Sequence, residues 1–266
     1  MSLVVSYFGL EKTGKTTFGF SAIKTYPDGI MVHFDFDLGR ERAIWRFPQS
    51  LADRIRSVEF PEIPTWTLGS YAITKQWAEF ERIYEMALKD ENVKVIFIDT
   101  ATQMHRLNAD EYLENYVKRN RKERHQLSQI EYRIPNSRTR AKIMAARSAG
   151  KDLILAHYEG DVYQEQFVPQ ADGSMKKESV KTGAKVLAGF SETPYLANYH
   201  LQLTLRNVNT DPVTGKGLNP VKLKTFAKIL TPNPQSAFGV EIPEPTYEAL
   251  LRTIEALKQA EIGGQQ

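Results

Sequence analysis

Residues 9–16 have the sequence GLEKTGKT and follow an apolar run at residues 3–8. The segment matches the pattern G-x-x-x-x-G-K-[ST], in which glycines let the backbone curl so that its N–H groups face phosphate oxygens. The apolar run predicts a buried strand, and the residues from Lys15 onward predict a helix whose positive end faces the same phosphates. A strand, this loop and a helix in succession predict a phosphate-binding loop of the Walker A type.

The side chains of the loop have expected tasks in binding ATP. Lys15 should reach the β- and γ-phosphates, and the Thr16 hydroxyl should bind Mg²⁺, so ATP and Mg²⁺ are the expected cofactors. The alternative is a glycine-rich turn without a ligand. We expect nucleotide contacts along the whole loop and at the residue after it: Gly9, Leu10, Glu11, Lys12, Thr13, Gly14, Lys15, Thr16 and Thr17.

Asp99 follows the strongly apolar residues 93–98 (VKVIFI), which predict a strand. A carboxylate at such a strand end is typical of a Walker B aspartate, and it would bind Mg²⁺ directly or through water. We therefore expect Asp99 to act in catalysis and to share the metal with Thr16. The alternative is an aspartate that caps a helix or a turn.

Two further strand ends carry polar side chains. Residues 30–36 predict a strand, and alternation places Asp35 and Asp37 on the same side of it. Ligands of open parallel sheets lie beyond the carboxyl ends of the strands, so Asp37 could reach a water near the γ-phosphate and act as a general base. His157 follows a predicted strand at residues 152–156, where it would sense the γ-phosphate. The alternatives are an ordinary loop carboxylate for Asp37 and a local hydrogen bond for His157.

The order of the predicted elements indicates the fold class. Early strands are almost continuously apolar and alternate with helices, which is typical of a parallel sheet covered on both faces. Alternating patterns at residues 200–206 and 221–226 predict an antiparallel hairpin. We expect an α/β P-loop NTPase fold, with a mainly parallel central sheet flanked by helices and the hairpin at one edge. Residues 1–240 should form the core, and residues 241–266 a C-terminal helix and frayed tail packed on it.

The remaining segments have weaker patterns. Residues 46–69 contain three prolines and predict a loop with short elements. Helices are expected at about residues 104–124 and 138–149. Residues 158–181 are polar and predict a loop.

Composition excludes several classes of protein. The chain has no cysteine, which excludes a disulfide framework, a cysteine zinc site and a cysteine nucleophile, and fits a reducing cytoplasm. It has no run of about 18 apolar residues, so we expect a cytoplasmic protein without a membrane span. The net charge of +3 is too small to indicate nucleic acid by itself.

Taken together, the motifs resemble those of the RecA-like ATPases. The shared order is a Walker A loop, a strand with an acidic end, a Walker B strand, a strand with a polar end and a hairpin. In RecA the acidic end is Asp-x-Glu, and the shorter Asp37 stands where that Glu activates water; the RecA sensor is an amide, and His157 stands at that position. The chain looks most similar to the phage-encoded RecA-like proteins of the Sak single-strand-annealing group, which would place it in the bacterial host cytoplasm.

This resemblance implies a RecA-like fold and a set of partners. It implies ATP-dependent binding of single-stranded DNA, with annealing or strand exchange and DNA-stimulated hydrolysis. It also implies self-assembly into a ring or filament, and it allows a single-strand-binding protein as a further partner.

Positive charge is concentrated between the predicted Walker B strand and the next strand. Ten Lys and Arg residues lie within residues 118–147, where only Glu123 and Glu131 oppose them. Such a strip can follow a phosphate backbone by releasing counterions, and RecA-like proteins place a DNA-facing loop here. The alternative is a solvated helix face. The residues expected to contact DNA are Arg133, Arg138, Arg140, Lys142 and Arg147.

The predicted polar loop matches the second DNA loop of the RecA pattern. Phe167 could stack on unpaired bases and Lys176 and Lys177 could bind phosphates, or Phe167 could pack beneath the loop. Lys222 and Lys224 share one face of the predicted hairpin, where lysines of RecA-like filaments reach the γ-phosphate of a neighbouring subunit. The alternative is that they protect an edge strand against aggregation.

Three functions remain open at this stage. The first is an ATPase of DNA recombination, and the second is another P-loop motor, such as a helicase or a DNA-packaging ATPase. The third is a small-molecule kinase, which needs an acceptor pocket and a lid rather than a basic strip. Stimulation of hydrolysis by single-stranded DNA would favour the first two over the third.

Overall fold

The computed structural model describes residues 2–63, 71–120, 124–169, 175–210, 214, 216–231 and 234–263. Within these ranges the strands are β1 (Val4–Phe8), β2 (Ile30–Asp35), β3 (Ile55–Glu59), β4 (Val93–Asp99), β5 (Asp152–His157), β6 (Glu159–Pro169), β7 (Met175–Leu187), β8 (Tyr199–Asn207), β9 (Leu223–Ile229) and β10 (Glu241–Pro243). The α-helices are α1 (Lys15–Ser21), α2 (Arg40–Ile44), α3 (Gln49–Ala52), α4 (Ala72–Lys89), α5 (Ala101–Asn120), α6 (Arg133–Ser148), α7 (Thr193–Leu196) and α8 (Tyr247–Gly263).

Eight strands form one central sheet in the order β10-β9-β8-β1-β5-β4-β2-β3. The pairs from β8 through β1, β5, β4 and β2 to β3 are parallel, whereas β9 pairs antiparallel with both β8 and β10. The predicted fold class, a mainly parallel sheet with an antiparallel hairpin at one edge, is therefore confirmed. Strand β5, which ends at His157, lies between the strand before the phosphate loop and the strand that ends at Asp99.

Helices cover both faces of the sheet, which explains why its central strands are apolar throughout. On one face, Phe18 and Phe20 of α1 pack with Tyr247 and Leu250 of α8 against β1, β4 and β5. On the other face, α4, α5 and α6 bury a second cluster, to which α4 contributes Trp77, Phe80 and Tyr84. Because β1, β4 and β5 are fixed from both sides, the carboxyl ends that carry the candidate site are held in place.

The C-terminal residues join the core through one buried carboxylate. Asp152 at the start of β5 accepts hydrogen bonds from the Tyr247 hydroxyl of α8 (2.6 Å), the Tyr26 hydroxyl (2.7 Å) and the Leu3 N–H (2.8 Å). Strand β10 adds backbone hydrogen bonds to β9. Residues 241–263 therefore pack on the sheet. The division of the chain at residue 240 stays a prediction, and the end of the expected frayed tail, residues 264–266, lies outside the described residues.

Strands lie in two segments with weak or polar patterns. Within residues 46–69, predicted as a loop with short elements, β3 is a short edge strand, and its pattern is weak because its outer residues meet solvent. Residues 159–187 form a long antiparallel hairpin, β6–β7, rather than a polar loop. Both of its faces are largely exposed, so no alternation of apolar and polar residues reveals it.

Element boundaries also differ in three places. Helix α5 begins at Ala101, directly after the Walker B strand, and α6 begins at Arg133, five residues before the expected start. Pro135 is tolerated there because the first turn of a helix has no internal partner for its N–H groups. Strand β9 begins at Leu223 rather than at residue 221, and most of the expected hairpin turn lies outside the described residues.

The part of the chain that the structure describes contains no helix long and apolar enough to cross a membrane.

Candidate active site

The phosphate loop requires glycine at two positions for different reasons. A Cβ atom on Gly9 would lie 2.5 Å from the Leu203 carbonyl oxygen of β8 and 2.9 Å from the Thr13 hydroxyl. Gly14 adopts a φ of +85° immediately before α1, a conformation that residues with a side chain rarely adopt. The loop can therefore pass close to β8 and turn its backbone into the helix.

Lys15 points into the mouth of its own loop. Its Nζ donates hydrogen bonds to the carbonyl oxygens of Gly9 (2.9 Å) and Leu10 (2.8 Å), and the side chain is buried. Burial lowers the pKa of Lys15, and the carboxylates of Asp99 and Asp37 oppose that shift. An ammonium held by loop carbonyls is placed where phosphate oxygens would compete for it.

Thr16 and Asp99, the two residues expected to bind the metal, contact each other. The Thr16 hydroxyl donates to Asp99 Oδ2 at 2.6 Å, and Asp99 is 1% exposed. Burial raises the pKa of Asp99 to about 7, and the Thr16 hydrogen bond opposes this rise. A buried carboxylate without a full counter-charge gains from a bound cation, because the cation offsets the cost of desolvation.

The surroundings of this pair fit Mg²⁺. The second oxygen of Asp99, Oδ1, is buried and has no hydrogen-bond partner among the described residues. Gly39 keeps the space open, since a Cβ atom there would lie 3.3 Å from the Thr16 hydroxyl oxygen and 4.0 Å from Asp99 Oδ2. A free carboxylate oxygen, a hydroxyl and a gap beside them are suitable for a hard cation with oxygen ligands.

The two aspartates Asp35 and Asp37, at the end of β2 and just after it, have different surroundings. Asp35 lies opposite Asp99 in the sheet, and its carboxylate accepts N–H groups of Asp37 (3.2 Å), Gly39 (3.1 Å) and Arg40 (3.0 Å). Asp35 therefore holds the turn that follows the strand. Asp37 is exposed on that turn and lines the same cleft as Lys15.

His157 is the last residue of β5 and is 1% exposed. Its Nδ1 lies 3.3 Å from the Ala188 carbonyl oxygen, and its Nε2 has no partner within the described residues. Burial, assisted by the neighbouring His200, lowers the pKa of His157 to about 3, so the ring is neutral at physiological pH. Its observed contact is the local hydrogen bond of the alternative interpretation, and a role as γ-phosphate sensor stays a prediction.

Tyr158, the next residue, was not expected in the site. Its hydroxyl donates a hydrogen bond to Asp37 Oδ1, and its ring lies beneath the Lys15 ammonium, with 5.9 Å between Nζ and the ring centroid. The sequence contained one signal, an aromatic residue directly after the strand end at His157. This residue can be placed at the site only once the strand order is known, in which β5 lies between β1 and β4.

The phosphate loop and the turn after β2 border an open cleft of about 460 Å³. Two arginines from α2 and the turn after it, Arg42 and Arg46, add positive charge that sequence reasoning missed, although they lie only five and nine residues beyond Asp37. Leu10, within the loop, is 63% exposed. The residues lining the cleft are Glu11, Lys12, Gly14, Lys15, Thr16, Thr17, Asp37, Gly39, Arg42, Ala43 and Arg46.

The residues expected at DNA on α6 are largely paired within the chain. Arg138 pairs with Glu111 of α5, Arg140 with Glu192, and Lys142 with Glu81 of α4 at 2.8 Å. Arg147 donates to the Asn198 side-chain oxygen at 3.0 Å, whereas Arg133 is exposed at the start of the helix. The count of ten cations against two acids therefore does not describe this surface, because acids distant in sequence lie beside α6.

The residues expected to contact DNA on the hairpin β6–β7, and the lysines expected to reach a neighbouring subunit near β9, differ in exposure and in ion pairing. Phe167 is 66% exposed, so it does not pack beneath the hairpin. Lys177 pairs with Glu165 across the hairpin, and Lys176 lies 3.4 Å from Glu178. Lys224 pairs with Glu244 at 3.0 Å, and Lys222 is exposed immediately before β9.

No protein-family model matches the chain, and no curated protein sequence matches it. Among solved structures, the RadB recombinase matches at 14% identity and a TM-score of 0.47, over 91% of this chain and 86% of that one. The flagellar accessory protein FlaH from Methanocaldococcus jannaschii matches at 11% identity and a TM-score of 0.40, over 86% and 78%. The assembled ATPase EscN of the enteropathogenic E. coli type III secretion system matches at 15% identity and a TM-score of 0.40, over 76% and 42%. The α/β P-loop fold is shown by the chain's own strands, helices and glycine loop.

Proposed function

We propose that this chain is an ATPase that binds ATP and Mg²⁺ at the loop of residues 9–16. One observation carries the proposal: Lys15, Thr16 and Asp37 line one cleft, and Thr16 donates to the buried Asp99. Phosphoryl transfer to water requires three kinds of group around one opening: a cation, a pair of side chains suited to a metal, and an exposed carboxylate.

Each group has a defined task in this reaction. The Lys15 ammonium would donate to phosphate oxygens in place of the loop carbonyls that it contacts in this structure. Thr16 and Asp99 would hold Mg²⁺, which when bound would supply positive charge against the charge that develops on the phosphates. The oxygen of the attacking water would bond to the γ-phosphorus while Asp37 accepts a proton from that water. The bond between the γ-phosphorus and the bridging oxygen of the β-phosphate would break, which releases ADP and phosphate.

The metal ligands can be tested by an isosteric change. Asp99→Asn should raise the Mg²⁺ concentration for half-maximal ATP hydrolysis at least about tenfold, because the amide keeps the shape and loses the charge that attracts a hard cation. Asp28→Asn, in an exposed turn, is the matched control and should leave this value unchanged. The measurement is the hydrolysis rate over a series of Mg²⁺ concentrations at saturating ATP. An unchanged Mg²⁺ dependence in folded Asp99→Asn would exclude Asp99 as a ligand.

We also propose single-stranded DNA as the partner on which this ATPase acts, in annealing or strand exchange. The hairpin β6–β7 supports this choice better than α6 does, since the α6 cations are mostly paired. Phe167 is 66% exposed and Tyr163 is 55% exposed on the hairpin. Aromatic rings held in solvent beside lysines are suited to stacking on unpaired bases.

DNA binding should depend on the exposed ring at residue 167. Phe167→Ala should weaken binding to a single-stranded oligonucleotide about tenfold, because stacking on one base contributes about 1–3 kcal/mol. Tyr195→Ala is the matched control, since Tyr195 is 89% exposed and lies on α7. Fluorescence anisotropy with a labelled oligonucleotide at fixed salt measures the difference. Equal affinities for Phe167→Ala and wild type would remove the hairpin from the DNA interface.

The proposal extends to self-assembly, in which a lysine near β9 would reach the nucleotide of a neighbouring copy. Lys222 is exposed, whereas Lys224 pairs with Glu244, so Lys222 is the better supported of the two. The Walker A loop and the acidic pair at Asp35 and Asp37 support a relationship with the Sak-type phage annealing proteins.

A further inference from the structure

Tyr158 joins the candidate active site to the base of the hairpin. It lies between the last residue of β5 and the first residue of β6. Its hydroxyl donates to Asp37 Oδ1, and its ring faces the Lys15 ammonium. It is therefore the one residue between β5 and β6, and it contacts both side chains expected to act on the γ-phosphate and its water.

The backbone of Tyr158 is fixed from two sides. Its N–H donates to the Thr102 hydroxyl of α5 at 3.0 Å, and its carbonyl accepts the N–H of Ala188 at 2.9 Å. The Thr102 hydroxyl in turn donates to the Ala188 carbonyl at 2.7 Å. These bonds hold the tyrosine ring at a set place above the end of the sheet.

The Asp35 carboxylate holds the backbone of Asp37, whereas the Asp37 side chain extends into solvent. Asp37 is exposed on the turn after β2, and the residue that follows, Leu38, has a φ of +50°. A carboxylate on an exposed turn samples several side-chain rotamers, and holding it in one of them costs conformational entropy. The bond from Tyr158 selects one orientation before nucleotide binds.

We propose that Tyr158 is a positioning residue that orients the Asp37 carboxylate towards the attacking water. This inference rests on the proposed role of Asp37 as the base. The phenol occupies Oδ1 and leaves Oδ2 to accept the proton of the water. Burial and the neighbouring Asp37 carboxylate raise the pKa of Tyr158 to about 12, whereas hydrogen bonds with Gln103 and Thr100 oppose this rise, so the phenol keeps the proton that it donates to Asp37.

Two variants and their combination test the positioning role. Tyr158→Phe keeps the ring and should lower kcat about tenfold, the effect of losing one orienting hydrogen bond to a charged group. The KM for ATP and the Kd for a non-hydrolysable ATP analogue should stay within about twofold, since the phosphate contacts are kept. Tyr195→Phe should behave as wild type, because among the described residues Tyr195 is the most exposed large hydrophobic side chain.

The double variant separates positioning from a structural role. If Tyr158 acts through Asp37, adding Tyr158→Phe to Asp37→Asn should cause little further loss of kcat, because the two changes remove one function. A structural role would instead lower kcat by the same factor in both backgrounds. Additive losses, or an unchanged kcat in Tyr158→Phe, would overturn the proposal.

A second readout needs no nucleotide. In protein labelled with carbon-13 at tyrosine Cζ, the Tyr158 signal is the one missing from Tyr158→Phe. It should shift in Asp37→Asn, whereas the Tyr195 signal should not. An unmoved Tyr158 signal would show that the contact with Asp37 is absent. Normal hydrolysis by wild type with an unchanged kcat in Tyr158→Phe would overturn the positioning role alone, whereas a wild-type chain that binds ATP without hydrolysing it would overturn the proposed ATPase activity as well, so the two failures are distinguishable.

Discussion

Lys15→Ala is expected to weaken ATP binding about 10- to 100-fold. The ammonium is buried in the loop mouth and donates to two carbonyl oxygens, which the phosphates of ATP would replace as acceptors. A hydrogen bond to a charged group contributes about 1.5–3 kcal/mol, and loss of this amount corresponds to the expected fall in affinity. Equilibrium binding of a fluorescent ATP analogue in the presence of Mg²⁺ measures it.

The control for this variant must separate binding from folding. Lys15 also contacts the carbonyls of Gly9 and Leu10, so thermal unfolding of the variant without nucleotide has to be compared with that of wild type. Lys75→Ala also removes one lysine charge, but Lys75 lies on the exposed surface of α4 and does not line the cleft. This variant should leave ATP affinity unchanged. A folded Lys15→Ala protein with wild-type affinity would contradict the assignment of the loop.

Asp37→Asn is expected to bind ATP normally and to hydrolyse it about 100-fold or more slowly. The change removes the proton acceptor, and general base catalysis typically contributes factors of about 10² to 10⁴. The amide keeps an oxygen that can accept the hydrogen bond from Tyr158, so the turn should keep its place. Single-turnover hydrolysis at saturating ATP and Mg²⁺ isolates the chemical step from nucleotide binding.

Asp28→Asn is the matched control, as it makes the same change in an exposed turn away from the cleft. It should hydrolyse ATP at the wild-type rate. Wild-type turnover in Asp37→Asn would assign water activation to another group.

The phosphate loop could be predicted from the sequence because its determinants are contiguous. Gly9 and Gly14 are required by the backbone of the loop itself, through a close approach to β8 and a positive φ. The assignment of Asp99 to the same site needed only the rule that parallel strands end at one edge of a sheet. The structure places Asp99 in contact with Thr16, 83 residues away.

The role of Tyr158 could not be predicted, because it depends on which strand lies beside which. Sequence reasoning placed His157 at the site as the polar end of β5, but that ring is buried and the following residue reaches Asp37. A difference of one residue at a strand end reverses the face of the sheet towards which a side chain points. Pattern alone does not fix a strand end with this accuracy.

The surface of α6 shows a second limit of sequence reasoning. Along the chain its cations have few acidic neighbours, yet Glu81, Glu111 and Glu192 lie beside them in the structure. Charge counted along a sequence ignores partners on other elements. The hairpin β6–β7 was missed for a related reason, since a strand exposed on both faces has no hydrophobic alternation.

The central claim is that the loop of residues 9–16 recognises the phosphates of ATP, and calorimetric titration tests it most directly. Wild-type protein would be titrated with ATP and, separately, with adenosine, both at a fixed Mg²⁺ concentration. The account predicts saturable binding of ATP at one site per chain and no saturable binding of adenosine over the same range, because the loop N–H groups, Lys15 and the metal pair all act on phosphate. Equal affinities for ATP and adenosine, or no saturable binding of ATP, would contradict it.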